Sequence, residues 1–433
     1  MRRSAFRVCL LSSASCRLPR VFCFLPSAFC LLPSIMYEPM VSAARETIRL
    51  MIVAGEPSGD AHAAGLVRAL REIDANLPVV FFGATGALMR AADVESTVRS
   101  DDLAIFGIFE VARVFPKFLR AYGALKRAAI ERKPDAVILV DWPEFNLPLA
   151  KALHRRGYRV IYYISLQVWA WRSYRVRRIR RDVDLLLSIL PFEQEWFARR
   201  GMTDVEFVGH PLAGEVQPRY DRKEFCRLHD LDPGRPIVTF LPGSRHKELA
   251  RILPPMLDAA SVIAQKHPAV QFVLVIAPSR SLEEAGQIIA RRKERLALPE
   301  TMRITHHETR EALAAADVAA IASGTATLEA AILSTPMVIV YKESPINWHT
   351  LGRLITSDHY GLVNLIAGKR IVVELMQNDL TGERLATELV ALLDKDRNQA
   401  MRTQLHEVAA RLGDGGASRR AAQRVLQALH EWS

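Results

Sequence analysis

Apolar residues occur along the chain in short continuous runs that alternate with helical patterns. From Arg49 onward, each run is followed by a polar or glycine-containing turn and then by apolar positions at helical spacing. This alternation is typical of a parallel sheet covered by helices on both faces. The first series of predicted strands comprises Leu50–Val53, Val79–Phe82, Ala136–Val140, Val160–Ile164 and Asp184–Ile189.

A second series begins after a weakly patterned stretch that contains Pro218 and Pro233. We therefore predict an α/β protein with two doubly wound, Rossmann-like parallel-sheet domains that face a cleft, followed by a helical C-terminal tail. The expected ranges are 48–215 for the first domain, 216–390 for the second domain and 391–433 for tail helices that pack back on the first domain. The strands predicted for the second domain are Ile237–Leu241, Gln271–Ile276, Val318–Ala322 and Met337–Val340.

The first 35 residues are unlike the rest of the chain. Residues 1–35 hold five arginines, no acidic residue and four of the five cysteines, which are spaced seven apart. Prolines recur in the same register and break helices, so the period does not indicate a coiled coil. The uncharged stretch 21–37 is too short and too rich in proline for a membrane-spanning helix, and a signal peptide stays an alternative. We predict that residues 1–35 are translated from repeat DNA upstream of a start at Met36 or Met40, and that residues 1–47 form an extension outside the folded protein.

Composition and charge narrow the class of protein. The chain has 433 residues, of which 50% are hydrophobic and 24% are charged, and this composition excludes disordered and fibrous proteins. The net charge of +11 favours anionic partners such as phosphorylated metabolites, anionic lipids or nucleic acid. Cys226 is the only cysteine after residue 35. The sequence therefore predicts no disulfide framework and no zinc site, and a reducing cytoplasm fits.

Six turns that follow predicted strands carry candidate chemistry, because ligands of open parallel sheets bind beyond the carboxyl ends of the strands. The first turn (GEPSGD) contains Ser58 and Asp60, either of which can cap the next helix. The second turn (DWPEFN) places Asp141 and Glu144 at a strand end, where one carboxylate could act as a general base. The alternative is that Asp141 caps the following helix and Glu144 faces water.

The third turn leads into a strongly basic segment. Six arginines lie within residues 172–181, beside Trp169 and Trp171. This composition fits a nucleic-acid surface and equally a membrane surface. The third interpretation is a solvated helix face whose apolar side, with Val176 and Ile179, belongs to the core. No DNA- or RNA-binding signature accompanies the segment, so we predict no nucleic-acid partner.

Three turns of the second domain could bind a nucleoside diphosphate. The turn LPGSR presents Arg245 at a strand end, where a guanidinium suits bidentate phosphate recognition. The turn ASGTATLE offers helix-start N–H groups and hydroxyls for a diphosphate, and Glu329 could accept hydrogen bonds from a ribose. The alternative for this turn is an ordinary capped helix start. The last turn contributes Asn364 and, further on, Gln377, amides that suit a uracil edge or a phosphate but are common in loops.

Taken together, these motifs resemble lipid-A-disaccharide synthases, glycosyltransferases of the two-Rossmann-domain (GT-B) class that form glycosyltransferase family 19. The resemblance covers nearly all of residues 49–430 and includes, in this order, AGEPSGD, IFGIFEV, KPDAVILVDWPEFN, YYISLQVWAWR, LLSILPFEQEWF, FVGHPLA, LPGSR, ASGTATLEA and NLIAGK. The sequence departs from the usual family motifs in loops that are expected on the acceptor side, so these departures concern acceptor or acyl-chain preference. They fall at Glu144, Leu166, Gln167, Val363 and residues 85–89.

The resemblance implies an inverting transfer of 2,3-diacylglucosamine from its UDP donor to the 6-hydroxyl of 2,3-diacylglucosamine 1-phosphate (lipid X). The products would be a β-1,6-linked lipid A disaccharide 1-phosphate and UDP. No cofactor and no metal ion are expected, since no Asp-x-Asp motif lies in a suitable turn. The alternatives that stay open are a UDP-sugar epimerase of the same fold, a catalytically inactive relative, and a non-catalytic binder of anionic lipid or nucleic acid.

The residues that match the family motifs fall into three groups. The predicted catalytic residues are Asp141 as the base, Glu144 as the alternative carboxylate, and Arg245. The predicted donor-binding residues, which would hold UDP, are Ser244, Arg245, Ser323, Gly324, Thr325, Glu329, Asn364 and Gln377. The predicted acceptor-side residues are Glu56, Ser58, Asp60, Glu110, Trp169 and Arg172.

Because both substrates carry acyl chains, the resemblance also implies a cytoplasmic enzyme that works peripherally on the inner membrane. One segment has the apolar and basic pattern of a membrane-surface helix. The alternative is an ordinary stripe of residues that face the core, and a homodimer is a further open prediction. The residues of this segment are Phe106, Phe109, Phe115, Phe118 and Leu119, interleaved with Arg113, Lys117 and Arg120.

Overall fold

The first domain contains a parallel sheet with seven strands among the described residues. The computed structural model describes residues 47–75, 77–103, 111–164, 168–169, 173–344 and 359–433, with only the backbone described at 102, 103 and 111–115. The strands are β1 (Ile48–Ala54), β2 (Val79–Thr85), β3 (Glu95–Arg99), β4 (Ala136–Val140), β5 (Arg159–Tyr163), β6 (Leu185–Ser188) and β7 (Val205–Phe207). Their order across the sheet is β3-β2-β1-β4-β5-β6-β7, and every pair is parallel.

The strand order reverses beside β1, which pairs with β2 on one side and with β4 on the other. Ile52, in the middle of β1, lies opposite Gly83 of β2 and Ile138 of β4. A reversal of strand order opens a crevice at the carboxyl ends of the two strands that flank it. The turns after β1 and β4, which carry Glu56 and Asp141, therefore border this crevice.

The second domain contains a parallel sheet with six strands in the part of the chain that the structure describes. They lie in the order β10-β9-β8-β11-β12-β13, so the order reverses between β8 and β11. The turns after these two strands hold Arg245 and Ser323. The two-sheet α/β architecture predicted from the sequence is confirmed. The strands are β8 (Ile237–Leu241), β9 (Gln271–Ile276), β10 (Met302–His306), β11 (Val318–Ala322), β12 (Met337–Tyr341) and β13 (Val373–Met376).

Helices cover both faces of the first sheet. Ile52 belongs to the same buried cluster as Leu66, whereas its neighbour Val53 belongs to the cluster that contains Leu125. Successive residues of a strand point to opposite faces, so each face of β1 has its own core. The helices of this domain are α1 (Pro57–Ile73), α2 (Ala87–Ala91), α3 (Val111–Arg132), α4 (Pro143–His154), α5 (Val176–Asp182) and α6 (Glu193–Ala198).

The second sheet is covered in the same way, and two tail helices follow it. One buried cluster contains Phe240 of β8, Leu253 between β8 and β9, and Leu389 near the end of the domain. The helices are α7 (Arg222–Leu228), α8 (His246–Lys266), α9 (Leu282–Lys293), α10 (Thr309–Ala315), α11 (Ala326–Ile332), α12 (Leu362–Ala367), α13 (Gly382–Leu392), α14 (Lys395–Arg411) and α15 (Ala417–Trp432).

The two tail helices pack on different domains. The last helix, α15, buries Ala421 and Val425 in the cluster that contains α1 of the first domain. By contrast, α14 buries Met401 and Leu405 in the core of the second domain. The expectation that the whole tail packs on the first domain is therefore wrong for α14, whose apolar stripe faces the second sheet.

The basic segment after β5 forms α5 with one apolar and one charged face. Val176 and Ile179 are buried, whereas Arg177 and Arg180 are exposed. No helix in the described part of the chain is long and apolar enough to cross a membrane. Phe106 and Phe109 lie outside the described residues. Their neighbour along the chain, Phe118, is partly buried and packs against the rings of Trp142 and Phe145.

Candidate active site

Asp141 follows β4 directly and has a left-handed backbone. Its φ is +48°, and the φ of Trp142 is also +48°. The carbonyl oxygen of Asp141 accepts hydrogen bonds from the Tyr162 hydroxyl at 2.7 Å and from the Asn146 amide at 2.8 Å. No side-chain capping bond is made at the start of α4, where Trp142 is the N-cap residue. The N-cap position of α4 is thus taken by Trp142 and not by Asp141.

The surroundings of Asp141 alter its acidity. Burial raises the pKa of its carboxyl from 3.8 to about 6, and the negative charge of Glu56 raises that pKa as well. A hydrogen bond from the backbone of Trp142 lowers this pKa and so offsets part of the increase. A carboxylate with a pKa near neutrality can take up a proton at physiological pH, as a general base requires.

Glu144 lies in a different environment from Asp141. Its side chain is 65% exposed and forms an ion pair with Arg175, whose side chain is 9% exposed. One guanidinium nitrogen of Arg175 lies 2.7 Å and 2.9 Å from the two carboxylate oxygens of Glu144. An adjacent cation favours the ionised form of a carboxyl group. The two carboxylates of the DWPEFN motif are thus chemically distinct.

The GEPSGD turn brings Glu56 to the crevice and turns Asp60 away from it. Glu56 is exposed and is the N-cap residue of α1, and Ser58 is also exposed. Asp60 is 4% exposed, and its carboxylate accepts bonds from the backbone N–H groups of Gly86, Leu88 and Met89. The expectation that Asp60 could cap the next helix needs correction, because Asp60 caps α2 rather than α1.

The remaining acceptor-side predictions concern Glu110, Trp169 and Arg172. Glu110 and Arg172 lie outside the described residues. Trp169 is 6% exposed, and its indole N–H donates to Glu193 at 3.0 Å. Glu193 also accepts a hydrogen bond from the hydroxyl of Ser188 at 2.6 Å. Trp169 is therefore part of a buried polar network.

A cavity of about 320 Å³ lies at the second crevice, between the ends of β8 and β11. Its lining includes six of the predicted donor residues, two from the turn after β8 and four from residues 78 to 85 positions further along the sequence. Their convergence follows from the strand order, because β8 and β11 are neighbours in the sheet. These six residues are Ser244, Arg245, Ser323, Gly324, Thr325 and Glu329.

Glu248 shapes the loop that carries Arg245. Its carboxylate accepts hydrogen bonds from the backbone N–H groups of Ser244 at 3.0 Å and Arg245 at 3.2 Å. Gly243 has a φ of +112°, and a Cβ at this position would lie 2.5 Å from the Glu248 carboxylate. The Arg245 side chain is 83% exposed and also pairs with Glu248 at 3.1 Å. Sequence reasoning missed Glu248, although a glutamate three residues into a helix is a known capping signal.

The turn between β11 and α11 leaves its helix start open. Thr325 is the N-cap residue and makes no side-chain capping bond. The hydroxyl of Thr327 bonds instead to the carbonyl of Gly324 at 2.7 Å. A Cβ at Gly324 would meet no atom within 4 Å. The N–H groups of Thr327 and Leu328 donate to the carbonyls of Gly324 and Thr325. The N–H groups that precede them are the ones that this turn offers to an anion.

Glu329 closes one side of this cavity and has a partner that sequence reasoning missed. Its carboxylate lies 3.3 Å from the guanidinium of Arg310 and is 17% exposed. Burial raises the pKa of Glu329, and the charge of Arg310 opposes this effect. Arg310 also donates to the backbone carbonyl of Glu215 at 2.6 Å. Nothing in the sequence pattern connects Glu329 with Arg310.

Asn364 and Gln377 do not line the cavity. Asn364 is fully buried, and its amide bonds to the backbone of Ile371 and Val372 and to the carboxylate of Glu374. Gln377 has a φ of +53° and accepts a bond from the backbone N–H of Glu343. Direct contact of Asn364 with a nucleotide is not supported, because its polar atoms are all bound within the protein. Among the described residues, no group of three or more His, Cys, Asp and Glu side chains is arranged to hold a metal ion.

Solved structures that resemble this chain support the two-domain fold. They include UDP-GlcNAc 2-epimerase from Neisseria meningitidis bound to UDP-GlcNAc, with a TM-score of 0.58 at 10% identity, covering 88% of this chain and 99% of that chain. The S. aureus MnaA–UDP structure has a TM-score of 0.59 at 12% identity and covers 88% and 97%. The calicheamicin glycosyltransferase CalG4 has a TM-score of 0.53 at 16% identity and covers 89% and 99%. At these identities the likeness concerns the fold alone.

Sequence comparison gives the family. A family model described as lipid-A-disaccharide synthetase matches residues 50–428. The lipid-A-disaccharide synthase of Geobacter metallireducens is 41% identical over 382 residues, which cover 88% of this chain and 97% of the relative. The enzyme of the same name from Trichlorobacter lovleyi is 42% identical over 384 residues, which cover 88% and 98%. This chain therefore belongs to the lipid-A-disaccharide synthase family of glycosyltransferases.

Proposed function

We propose that this chain transfers 2,3-diacylglucosamine from its UDP donor to the 6-hydroxyl of 2,3-diacylglucosamine 1-phosphate, with Asp141 as the general base. The observation that carries the proposal is the half-buried carboxyl of Asp141 at the first crevice, whose pKa burial raises to about 6. The family assignment supports the choice of the two substrates. The products are a β-1,6-linked disaccharide 1-phosphate and UDP.

The proposed chemical step begins at the 6-hydroxyl of the acceptor. Deprotonated Asp141 takes the proton of the 6-hydroxyl while that oxygen bonds to C1 of the donor sugar. The bond from C1 to the diphosphate oxygen breaks, and its electron pair leaves with UDP. Attack from the face opposite the diphosphate inverts C1. A base whose pKa lies near the working pH is effective, because it is mostly deprotonated and still accepts a proton readily.

Asp141 is the better candidate for the base than Glu144. Glu144 is exposed and paired with Arg175, so its carboxylate is already engaged by a cation. Asp141 faces the crevice beside Glu56, where desolvation makes proton uptake more favourable. In this proposal Glu144 holds Arg175 in place, and Glu56 and Ser58 border the acceptor. Asp60 and Trp169 contribute through the loops that they hold.

The second-domain cavity is the proposed site for the UDP part of the donor. Arg245 is largely exposed at its rim, so its guanidinium can turn toward a diphosphate. The open start of α11 and the hydroxyls of Ser323 and Thr325 supply further donors for the charge that develops on the leaving group. Glu329 is placed to accept hydrogen bonds from a ribose. We propose that Asn364 acts indirectly, by holding the turn near residue 372.

A peripheral position on an anionic membrane surface is part of the same proposal. Leu119 is 57% exposed on α3, and Lys117 and Arg120 are exposed beside it. A second feature is an open groove of about 510 Å³ on the same domain, lined by Tyr174, Arg177, Arg180 and Arg200 among others. Exposed apolar and cationic side chains together favour binding to anionic headgroups. Phe118 does not belong to this surface, because it packs against Trp142.

Flotation with vesicles of anionic phospholipid tests the membrane proposal. Replacing Arg177 and Arg180 by alanine should weaken binding about fivefold for each charge, since each surface cation contributes about 1 kcal/mol. Leu119→Ser should weaken it further. Ile130→Ser is the matched control, because Ile130 is 46% exposed on the same helix but is not part of the proposed surface. Equal flotation of the wild type and the Arg variants would contradict the proposal.

Homodimer formation is the last prediction about partners. Light scattering measures it directly, because the chain mass is 48.5 kDa and a dimer has twice that mass. A concentration-independent mass of one chain would exclude a stable dimer.

Product analysis tests the proposed reaction. Purified protein is incubated with the UDP-diacylglucosamine donor, with and without the monosaccharide 1-phosphate acceptor, and the lipids are identified by mass spectrometry. The proposal predicts a disaccharide 1-phosphate only when both substrates are present. A donor changed at C2 in the absence of acceptor would instead indicate an epimerase, the activity named for one of the solved structures of similar fold.

A further inference from the structure

Two buried side chains hold the peptide group that carries the proposed base. Asn146 is completely buried in the first turn of α4, and Tyr162 is 1% exposed on β5. Both donate to the same acceptor, the carbonyl oxygen of Asp141, at 2.8 Å and 2.7 Å. Neither side chain was singled out by its spacing in the sequence, and neither lines the second-domain cavity.

The backbone at this point needs such support. Asp141 and Trp142 both have a φ of +48° without being glycine. Left-handed conformations are unfavourable for residues with a Cβ and persist only where the surrounding structure enforces them. In the described structure, the enforcing contacts on the carbonyl side are the two hydrogen bonds from Asn146 and Tyr162.

Asn146 ties the end of the strand to the start of the loop. Its amide nitrogen lies 3.2 Å from the carbonyl oxygen of Val140, the last residue of β4, and 2.8 Å from that of Asp141. Its own backbone N–H donates to the carbonyl of Trp142 at 2.9 Å. The side chain therefore bridges the carbonyls of two consecutive residues, Val140 and Asp141, while the backbone of the same residue holds a third, that of Trp142. A change in the side-chain donor affects the first two.

Tyr162 supplies a donor that does not titrate at working pH. Burial raises the pKa of its hydroxyl well above the usual value of 10. The hydroxyl therefore stays protonated and keeps donating to the Asp141 carbonyl. Its strand, β5, pairs directly with β4, and Val140 lies opposite Tyr163. The hydrogen bond is thus anchored in the rigid centre of the sheet.

We propose that Asn146 and Tyr162 are positioning residues for the reaction: by fixing the carbonyl of Asp141, they hold its carboxylate in the half-buried place beside Glu56. This inference rests on the proposed function, because it assumes that Asp141 accepts the proton. Without the two donors, the Asp141–Trp142 peptide groups can relax toward ordinary backbone angles. The carboxylate then turns toward water and away from Glu56, and it becomes a poorer base.

The test uses Tyr162→Phe, which removes one hydroxyl and keeps the ring. Tyr158→Phe is the matched control, since the Tyr158 hydroxyl also donates to a backbone carbonyl, that of Ala129, at 2.9 Å in the same domain. The readouts are kcat, the pH profile of kcat/KM, UDP affinity and the melting temperature. Asn146→Ser is the second variant and removes the other donor, which keeps the test available if Tyr162→Phe does not fold.

The proposal predicts that Tyr162→Phe and Asn146→Ser each lower kcat about 10-fold, a part of the 10²–10⁴-fold effect of a general base. The acidic limb of the kcat/KM profile should move to lower pH, and UDP affinity should stay unchanged. Tyr158→Phe should lower only the melting temperature. Wild-type kcat and an unshifted limb in both site variants would overturn the inference.

The outcomes separate this inference from the proposed function. Retention of acceptor-dependent turnover in Asp141→Asn would remove Asp141 as the base, whatever the positioning variants do. Loss of turnover in Asp141→Asn together with wild-type behaviour of Tyr162→Phe and Asn146→Ser would keep the base and remove the positioning role alone.

Discussion

The indole ring of Trp142 fills the space that a side chain at position 55 would need. A Cβ built on Gly55 would lie 1.9 Å from Cδ2 and 2.2 Å from Cε3 of that ring. Gly55 follows β1 and Trp142 follows β4, so the contact joins the two turns that border the first crevice. The ring also stacks on Phe145 with a centroid distance of 4.2 Å. The GEPSGD and DWPEFN motifs therefore interlock at a single point.

Gly55→Ala should strongly reduce transfer. The added methyl group forces the Trp142 ring to move, and Trp142 is the neighbour of the proposed base. We expect kcat to fall at least 100-fold, a loss within the range of a misplaced general base, while the second-domain cavity still binds UDP. Steady-state kinetics and UDP titration measure the two effects.

Gly123→Ala is the control for this substitution. A Cβ at Gly123 on α3 would meet no atom within 4 Å. Alanine there should stabilise the helix by about 0.5–1 kcal/mol and leave kcat unchanged. Full activity of Gly55→Ala would show that the ring can move without effect on the base.

The pH dependence of transfer should report the state of Asp141. Because a base must be deprotonated to act, kcat/KM should fall as the pH drops through about 6, the pKa of this carboxyl in the protein. Glu56→Gln removes a negative charge that raises this pKa. The acidic limb should therefore move to lower pH in this variant. A limb at the same or higher pH would contradict the role given to Glu56.

Asp141→Asn should make the protein more stable while it abolishes transfer. Folding raises the pKa of Asp141 from 3.8 to about 6, so the folded state disfavours its charged form. This carboxyl contributes most to stability below pH 3.8, and its contribution is lost as the pH rises through 6. At pH 7.5 the uncharged amide should add about 1–3 kcal/mol, since each pKa unit corresponds to about 1.4 kcal/mol.

Thermal unfolding of Asp141→Asn and wild type at two pH values tests the predicted direction of this stability change. The melting temperature of the variant should exceed that of the wild type at pH 7.5, and the difference should shrink as the pH approaches 4. A variant that is less stable than the wild type at pH 7.5 would mean that the Asp141 charge is better solvated than its burial indicates.

Arg245→Ala should weaken UDP binding about 10- to 100-fold, because charge-assisted hydrogen bonds contribute about 1.5–3 kcal/mol. Calorimetric titration with UDP in the presence of EDTA measures this loss, and EDTA itself should have no effect. Arg227→Ala is the control: Arg227 also pairs with a glutamate three residues away but does not line the cavity. Equal UDP affinity of Arg245→Ala and wild type would move the diphosphate away from this loop.

The central strands were predictable from the sequence, and the edge strands were not. β1, β4, β8 and β11 are buried on both faces and appear in the sequence as continuous apolar runs. The outer strands of both sheets, β3, β7, β10 and β13, were missed. β3 has the sequence ESTVR, and its Glu95 forms an ion pair with Arg132 at 2.6 Å. An edge strand has a solvent-exposed side, so polar residues are stable there and no apolar run marks it.

Local sequence located the site turns, but the partners of their side chains depend on the fold. A strand end followed by glycine or carboxylates is a local feature, and strand order then brings the turns together. The ion pair between Glu144 and Arg175 spans 31 positions, and the bonds of Asp60 reach 26 to 29 positions along the chain. No spacing rule predicts such pairs, so the distinction between Asp141 and Glu144 required the structure.

The most direct measurement is UDP release from UDP-2,3-diacylglucosamine, with and without the monosaccharide 1-phosphate acceptor, for wild type, Asp141→Asn and Glu144→Gln in the presence of EDTA. We predict acceptor-dependent release by the wild type, a loss of at least 100-fold in Asp141→Asn, and much smaller losses in Glu144→Gln. Undiminished acceptor-dependent release by Asp141→Asn would contradict the assignment of Asp141 as the base. Release that does not depend on the acceptor would contradict transfer to it.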